Sequence, residues 1–160
     1  MWRQLFFGLS PACYVFTVVL RALCARWRAR GIRLVHYIDD ILLVGPRVRE
    51  QGLLVRAELE ALGFLMNLAK SVVEPVQQVD FLGFDVDSRG EPRLTVPAAR
   101  VDKLRAALLQ LQAAGLSPVP VRSVARVAGQ IMSMSLALAP ARLFTRELYR
   151  VIDSMHRQDL

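Results

Sequence analysis

The sequence predicts an α+β fold, a small antiparallel sheet with helices followed by an all-helical segment. Three observations carry this prediction. An apolar run from Leu34 to Val44, bounded by Gly31 and Gly45, has strand character but is broken at its centre by two adjacent carboxylates, Asp39 and Asp40. Apolar residues at helical spacing flank it on both sides. Strand signals then end near residue 97, and only helical patterns follow.

Ser10-Pro11 reads as a helix start, a hydroxyl cap followed by proline at the first helical position. Phe16, Leu20, Leu23 and Trp27 recur at helical spacing, and Gly31 is placed to end that helix in the left-handed conformation. Arg26 and Arg30 share one side of it, as a solvated face or a phosphate-facing stripe. After the Asp39-Asp40 hairpin, Gly45-Pro46 turns the chain into a helix from about Arg47 to Leu62, closed by Gly63. A short strand is expected at Phe64–Met66. Val79–Val86 reads as a further apolar strand, and Asp87-Ser88-Arg89-Gly90 returns it to a partner near Arg93–Val96. Val101, Leu104, Leu108 and Leu111 mark a helix stopping at Gly115, and two more helices are expected at about Val121–Leu138 and Pro140–Ser154. The expected domains are therefore 1–96 and 97–160.

The apolar fraction of 54% and charged fraction of 22% over 160 residues describe a packed globular chain, which excludes a disordered one. The net charge of +7 and pI near 10.4 point to a polyanionic partner, nucleic acid before membrane. Lysine occurs only at 70 and 103, so a GC-rich coding bias toward arginine accounts for part of that charge. Cys13 and Cys24 lie too far apart on one helix to bridge and read as reduced, buried thiols. The apolar run Leu5–Leu20 imitates a secretory signal, yet Ser10-Pro11 breaks it and it falls short of the ~20 apolar residues of a membrane span. An intracellular chain is expected.

Two adjacent acids at a strand–turn–strand tip suit hard cations such as Mg²⁺, which prefer oxygen ligands and share them with phosphate. The alternative is an ordinary hairpin that uses Asp as a turn residue, although two Asp without a Gly make a poor two-residue turn. The residues alone leave both readings open.

Tyr37-Ile38-Asp39-Asp40 resembles the Tyr-x-Asp-Asp box of reverse transcriptases, and it stands in that family's order with three further motifs. Phe7-Gly8-Leu9-Ser10-Pro11-Ala12 with Tyr14-Val15-Phe16-Thr17 resembles the loop and helix that pack under template and incoming nucleotide. Leu62-Gly63-Phe64, Asn67 and Lys70-Ser71 resemble the next palm motif, and Phe81-Leu82-Gly83-Phe84 resembles the primer grip. The set most resembles retrotransposon enzymes of the tyrosine-recombinase (DIRS-like) type. The resemblance implies a partial palm over 1–96 and a helical thumb or connection over 97–160.

By this resemblance Asp39 is the main metal ligand and Asp40 the second carboxylate, holding two Mg²⁺ in the complete enzyme, with Mn²⁺ as an alternative ion. Tyr37 lies beside the primer terminus, and Gly8 and Ser10 belong to the nucleotide and template loop. Lys70 approaches the leaving pyrophosphate as general acid or charge partner, against the plainer reading of a solvated loop lysine. Glycines at 8 and 83 suit close approach of backbone to nucleic acid, while Gly83 equally suits a strand bulge. Phe81 and Phe84, read as one strand, point to opposite faces. The implied partners are an RNA or DNA template with primer and a dNTP, with RNase H and recombinase domains as neighbours in a full element and no membrane.

Two departures qualify this. Phe6 stands where the family usually has Pro. The family's further metal-binding Asp precedes the Phe-Gly-Leu motif and has no counterpart in this sequence. The expectation is therefore an RNA-directed DNA polymerase segment that is inactive alone. The alternative is a non-catalytic, nucleic-acid-binding remnant of a retroelement.

Overall fold

A computed structural model describes residues 8–115 and 117–158, so Phe6 and Phe7 lie outside the described residues. The fold is α+β, with five helices and two small antiparallel sheets. The chain divides between Val76 and Gln77 into two compact units.

The first unit is built on α1 (Ala12–Ala29), β1 (Leu34–Tyr37), β2 (Asp40–Leu43) and α2 (Val48–Ala61). Helix α1 begins one residue later than the sequence suggests. Pro11 occupies the N-cap position and no side chain caps the helix. Arg30 closes it and Gly31 follows at φ +79°, a conformation that costs glycine no Cβ clash. Leu20, Cys24 and Trp27 recur along one face of α1 and are buried against Ile32, Leu34, Val55 and Leu59. Phe16, Ile41, Leu43, Phe64 and Met66 pack around this core, with the Phe16 and Phe64 rings edge to face at 6.1 Å. Residues 64–66 form no strand: Phe64 donates its backbone N–H to Leu59 at 3.0 Å and serves as a plug beside the helix end. Cys24 is buried as expected, whereas Cys13 is exposed because the helix turns it away from the core.

Strands β1 and β2 form a hairpin in the register Leu34↔Leu43, Val35↔Leu42, His36↔Ile41 and Tyr37↔Asp40. Alternation places Leu34, Ile41 and Leu43 toward the helices and Val35, Tyr37, Asp40 and Leu42 on the other face. Val35 and Tyr37 are about half exposed, so this apolar run is buried on one face only.

In the second unit, β3 (Gln78–Phe81), β4 (Phe84–Asp87) and β5 (Arg93–Thr95) make a three-stranded antiparallel meander. The stretch 79–86 is thus two strands and a turn, where the sequence suggested one strand. Helices α3 (Ala98–Ala113), α4 (Val121–Ser133) and α5 (Ala141–Gln158) follow. Val124, Val127 and Ala128 on α4 bury against Ala141 and Thr145 of α5. Inside this apolar contact the Thr145 hydroxyl is within hydrogen-bond distance of the Ala141 carbonyl one turn back, at 3.1 Å, and of the Met132 sulfur on α4, at 3.2 Å. Helix α4 ends at Ser133, five residues short of the expected Leu138, in a run of turns from Met134 to Ala137.

Candidate active-site hairpin and its companions

The β1–β2 hairpin closes through a two-residue loop, Ile38-Asp39, between the paired Tyr37 and Asp40. The poor turn formed by two loop aspartates is thereby avoided, because Asp40 is already the first residue of β2. Of the two loop residues only Ile38 has positive φ, at +53°, the type II′ pattern that matches strand twist. A β-branched side chain in that region is strained, at about 1–2 kcal/mol. The consequence is positional. Both carboxylates are carried at the tip, exposed, and neither takes part in an ion pair among the described residues. Tyr37, 56% exposed, stands across from Asp40 on the same open face.

The donor chemistry of this pair fits a hard divalent cation. The described residues include no group of three or more His, Cys, Asp or Glu side chains able to hold a metal. By themselves Asp39 and Asp40 would supply only part of the oxygen shell such an ion takes.

The other expected residues fall into place separately. Gly8 has φ +92° with open space where a Cβ would stand, and Leu9, Ser10 and Pro11 form an exposed turn closed by Ala12 N–H to the Leu9 carbonyl at 2.9 Å. Asn67–Lys70 is likewise a turn, in which the Asn67 carbonyl accepts from Lys70 N–H at 3.1 Å and from the Ser71 hydroxyl at 2.9 Å. Lys70 is exposed, and no described ion pair engages its ammonium.

In the second unit, Phe81 and Phe84 are direct cross-strand partners, joined by the loop Leu82-Gly83. Both loop residues have positive φ, +54° and +73°, the type I′ pattern. This corrects two readings. The phenylalanines share one face, because a two-residue hairpin returns the chain on itself, and Gly83 is a turn residue, not a bulge. Phe84 is buried and Phe81 half-buried. The Asp80 carboxylate accepts from Gly83 N–H at 3.1 Å and steadies the loop.

Two residues outside the motifs organise these elements. Glu58 on α2 accepts from the buried Trp27 indole N–H at 2.9 Å and from Arg30, with Arg26 at 3.6 Å. The indole hydrogen bond first, then the arginines, holds its carboxyl below the ordinary carboxylate range. Arg26 and Arg30, expected on one side of α1, are thus tied to α2. Arg100 on α3 donates to the Gly83 carbonyl at 2.5 Å and to the Ser133 hydroxyl at 2.7 Å, with its guanidinium 5.3 Å from the centre of the Phe84 ring. A long-range contact of this kind leaves no local signal in sequence.

The hairpin thus presents two adjacent, exposed carboxylates, and comparison with known proteins gives the family. Residues 1–86 match the family described as reverse transcriptase (RNA-dependent DNA polymerase), and the chain belongs to this family. Protein P of Duck hepatitis B virus (strain China) is 33% identical over 86 residues, 51% of this chain and 11% of that protein. Protein P of isolate brown Shanghai duck S5 is 34% identical over the same length and shares. For strain United States/DHBV-16 the identity is 28% over 109 residues, 66% of this chain and 12% of that protein. The chain spans about a tenth of the length of the curated relatives it matches.

Proposed function

We propose that this chain is the C-terminal palm segment, with a helical thumb or connection from residue 97, of an RNA-directed DNA polymerase of retroelement origin. The observation that carries the proposal is the exposed Asp39-Asp40 pair at a strained hairpin tip, within a chain that matches the reverse transcriptase family over residues 1–86. The ordered motifs support a tyrosine-recombinase (DIRS-like) element as its source.

Asp39 and Asp40 would hold divalent ions, Mg²⁺ or Mn²⁺. When bound, such ions neutralise the charge on the phosphates and polarise the reacting oxygens in nucleotidyl transfer. The chain's own residues position the reactants. Tyr37, on the open face beside Asp40, abuts the primer terminus. The turn of Gly8 and Ser10 lies under template and nucleotide, and Lys70 offers its exposed ammonium to the departing pyrophosphate. The hairpin Phe81-Leu82-Gly83-Phe84 supports the primer strand, with Leu82 at its exposed tip. RNA or DNA template, primer and dNTP are the partners, and RNase H and recombinase domains are the expected neighbours.

The test is extension of a labelled primer on an RNA template with dNTPs and Mg²⁺. A polymerase carrying this segment in its full context is expected to lose roughly a hundredfold or more of its rate on Asp39→Asn. Unchanged extension would remove the assignment. The incomplete ligand set among the described residues favours one second reading, a non-catalytic module that binds nucleic acid through its arginines. For the isolated chain this reading predicts template binding that weakens steeply with salt and no extension.

A further inference from the structure

We infer that Arg100 is the positioning residue of the Phe81–Phe84 hairpin, clamping its tip onto the end of α4. This rests on the primer-support reading above. One guanidinium nitrogen donates to the Gly83 carbonyl at 2.5 Å. A second donates to the Ser133 hydroxyl at 2.7 Å and reaches the Ser133 carbonyl at 3.3 Å. The cation also lies over the Phe84 ring, 5.3 Å from its centre.

Each contact acts at a point where the hairpin needs restraint. Leu82 and Gly83 both have positive φ, and Leu82 gains nothing locally from that conformation. The Gly83 carbonyl lies in this strained loop, beyond the last strand pair Phe81↔Phe84, so the ladder does not hold it. Arg100 supplies the missing donor. Its other end meets the last residue of α4, where helix carbonyls lack intrahelical partners and a cation is favoured. The Ser133 hydroxyl is itself aimed by donating to the Gln130 carbonyl at 2.7 Å. The fork geometry explains why the residue is arginine, since lysine offers one ammonium and cannot reach two acceptors in fixed directions while covering a ring. Close packing against Gly83 closes the set: a Cβ there would stand 3.0 Å from the guanidinium.

The clamp is tested with the full 160-residue chain, Arg100→Met, Arg100→Lys and Ser133→Ala. Fluorescence anisotropy is measured on a labelled RNA template, free or annealed to a DNA primer. The expected result is that Arg100→Met and Arg100→Lys lose about tenfold in affinity for primed template, with affinity for unprimed strand and salt slope unchanged. Ser133→Ala shows a smaller selective loss. Hydrogen exchange at Gly83 and Phe84 amides speeds up in all three. Equal loss on both nucleic acids, restoration by Lys, or a salt slope lower by about one would show that Arg100 contacts phosphate directly and overturn the clamp. If wild type shows no preference for primed template, the primer-support reading fails, and the exchange measurement decides the clamp alone. If Arg100→Met does not fold, Arg100→Lys and Ser133→Ala carry the test, and unchanged exchange in both overturns it.

Discussion

Ile38 and Leu82, the only non-glycine residues described with positive φ, each sit at the tip of a hairpin read as functional. Backbone strain of this kind persists only where neighbouring structure imposes it, and it aims side chains that a relaxed turn would not. Leu82→Asn places the favoured Asn-Gly pair in a type I′ loop and is expected to stabilise the chain by about 1 kcal/mol, seen as a raised midpoint in thermal unfolding. The same substitution is expected to weaken primed-template binding. Trp27, fully buried, is the opposite case: Trp27→Ala is expected to cost about 3–5 kcal/mol in denaturant titrations by leaving a cavity and removing the indole donor to Glu58. Glu58 also sets a pH dependence. Its folded pKa is depressed, so its stabilisation is present above the ordinary carboxylate range and is lost as pH falls through the lower folded value. Asp87, lowered to about 2 chiefly by hydrogen bonds from Arg89, acts in the same direction between pH 4 and 2. Glu58→Gln is expected to flatten the acid limb of a melting temperature against pH curve, and an unaltered limb would discount the Trp27–Glu58 contact.

Among elements, the contrast between helices is sharpest. Helix α4 buries Val124, Val127 and Ala128, whereas α3 has no buried residue and leaves Val101 and Leu108 about 40% exposed. Amide exchange is therefore expected to be faster along α3 than along α4, with Arg100 as a local exception near its start. The β1–β2 hairpin shows a related asymmetry. Its inner face joins the core of α1 and α2, while its outer face keeps Val35, Tyr37 and Leu42 around Asp40.

For the molecule as a whole, membership of the reverse transcriptase family and an excess of 21 basic over 14 acidic residues both point to nucleic acid. Among the described residues no helix is long and apolar enough to cross a membrane. Leu65, Leu136, Leu143 and Phe144 are each more than 70% exposed. Apolar exposure on this scale is expected to drive self-association, visible as a sedimentation coefficient that rises with protein concentration.

Local chemistry made much of this legible. Gly31, Gly63 and Gly115 marked helix ends because only glycine takes positive φ freely, and the acids within an apolar run marked the hairpin because a buried strand does not hold them. Motif order led to the family. The loop registers were not legible: Asp39 and Asp40 read as the turn itself, and Phe81–Phe84 read as one strand, because Ile38 and Leu82 adopt conformations their own preferences oppose. The exposure of α3 and of Cys13 and the contacts of Glu58 and Arg100 were equally hidden. Sequence determined the fold class and the approximate extent of most helices, since those follow from neighbours along the chain. Tertiary structure alone decided which side chains meet across it, because a strained turn or a bidentate arginine is stabilised by groups 17 to 33 residues away.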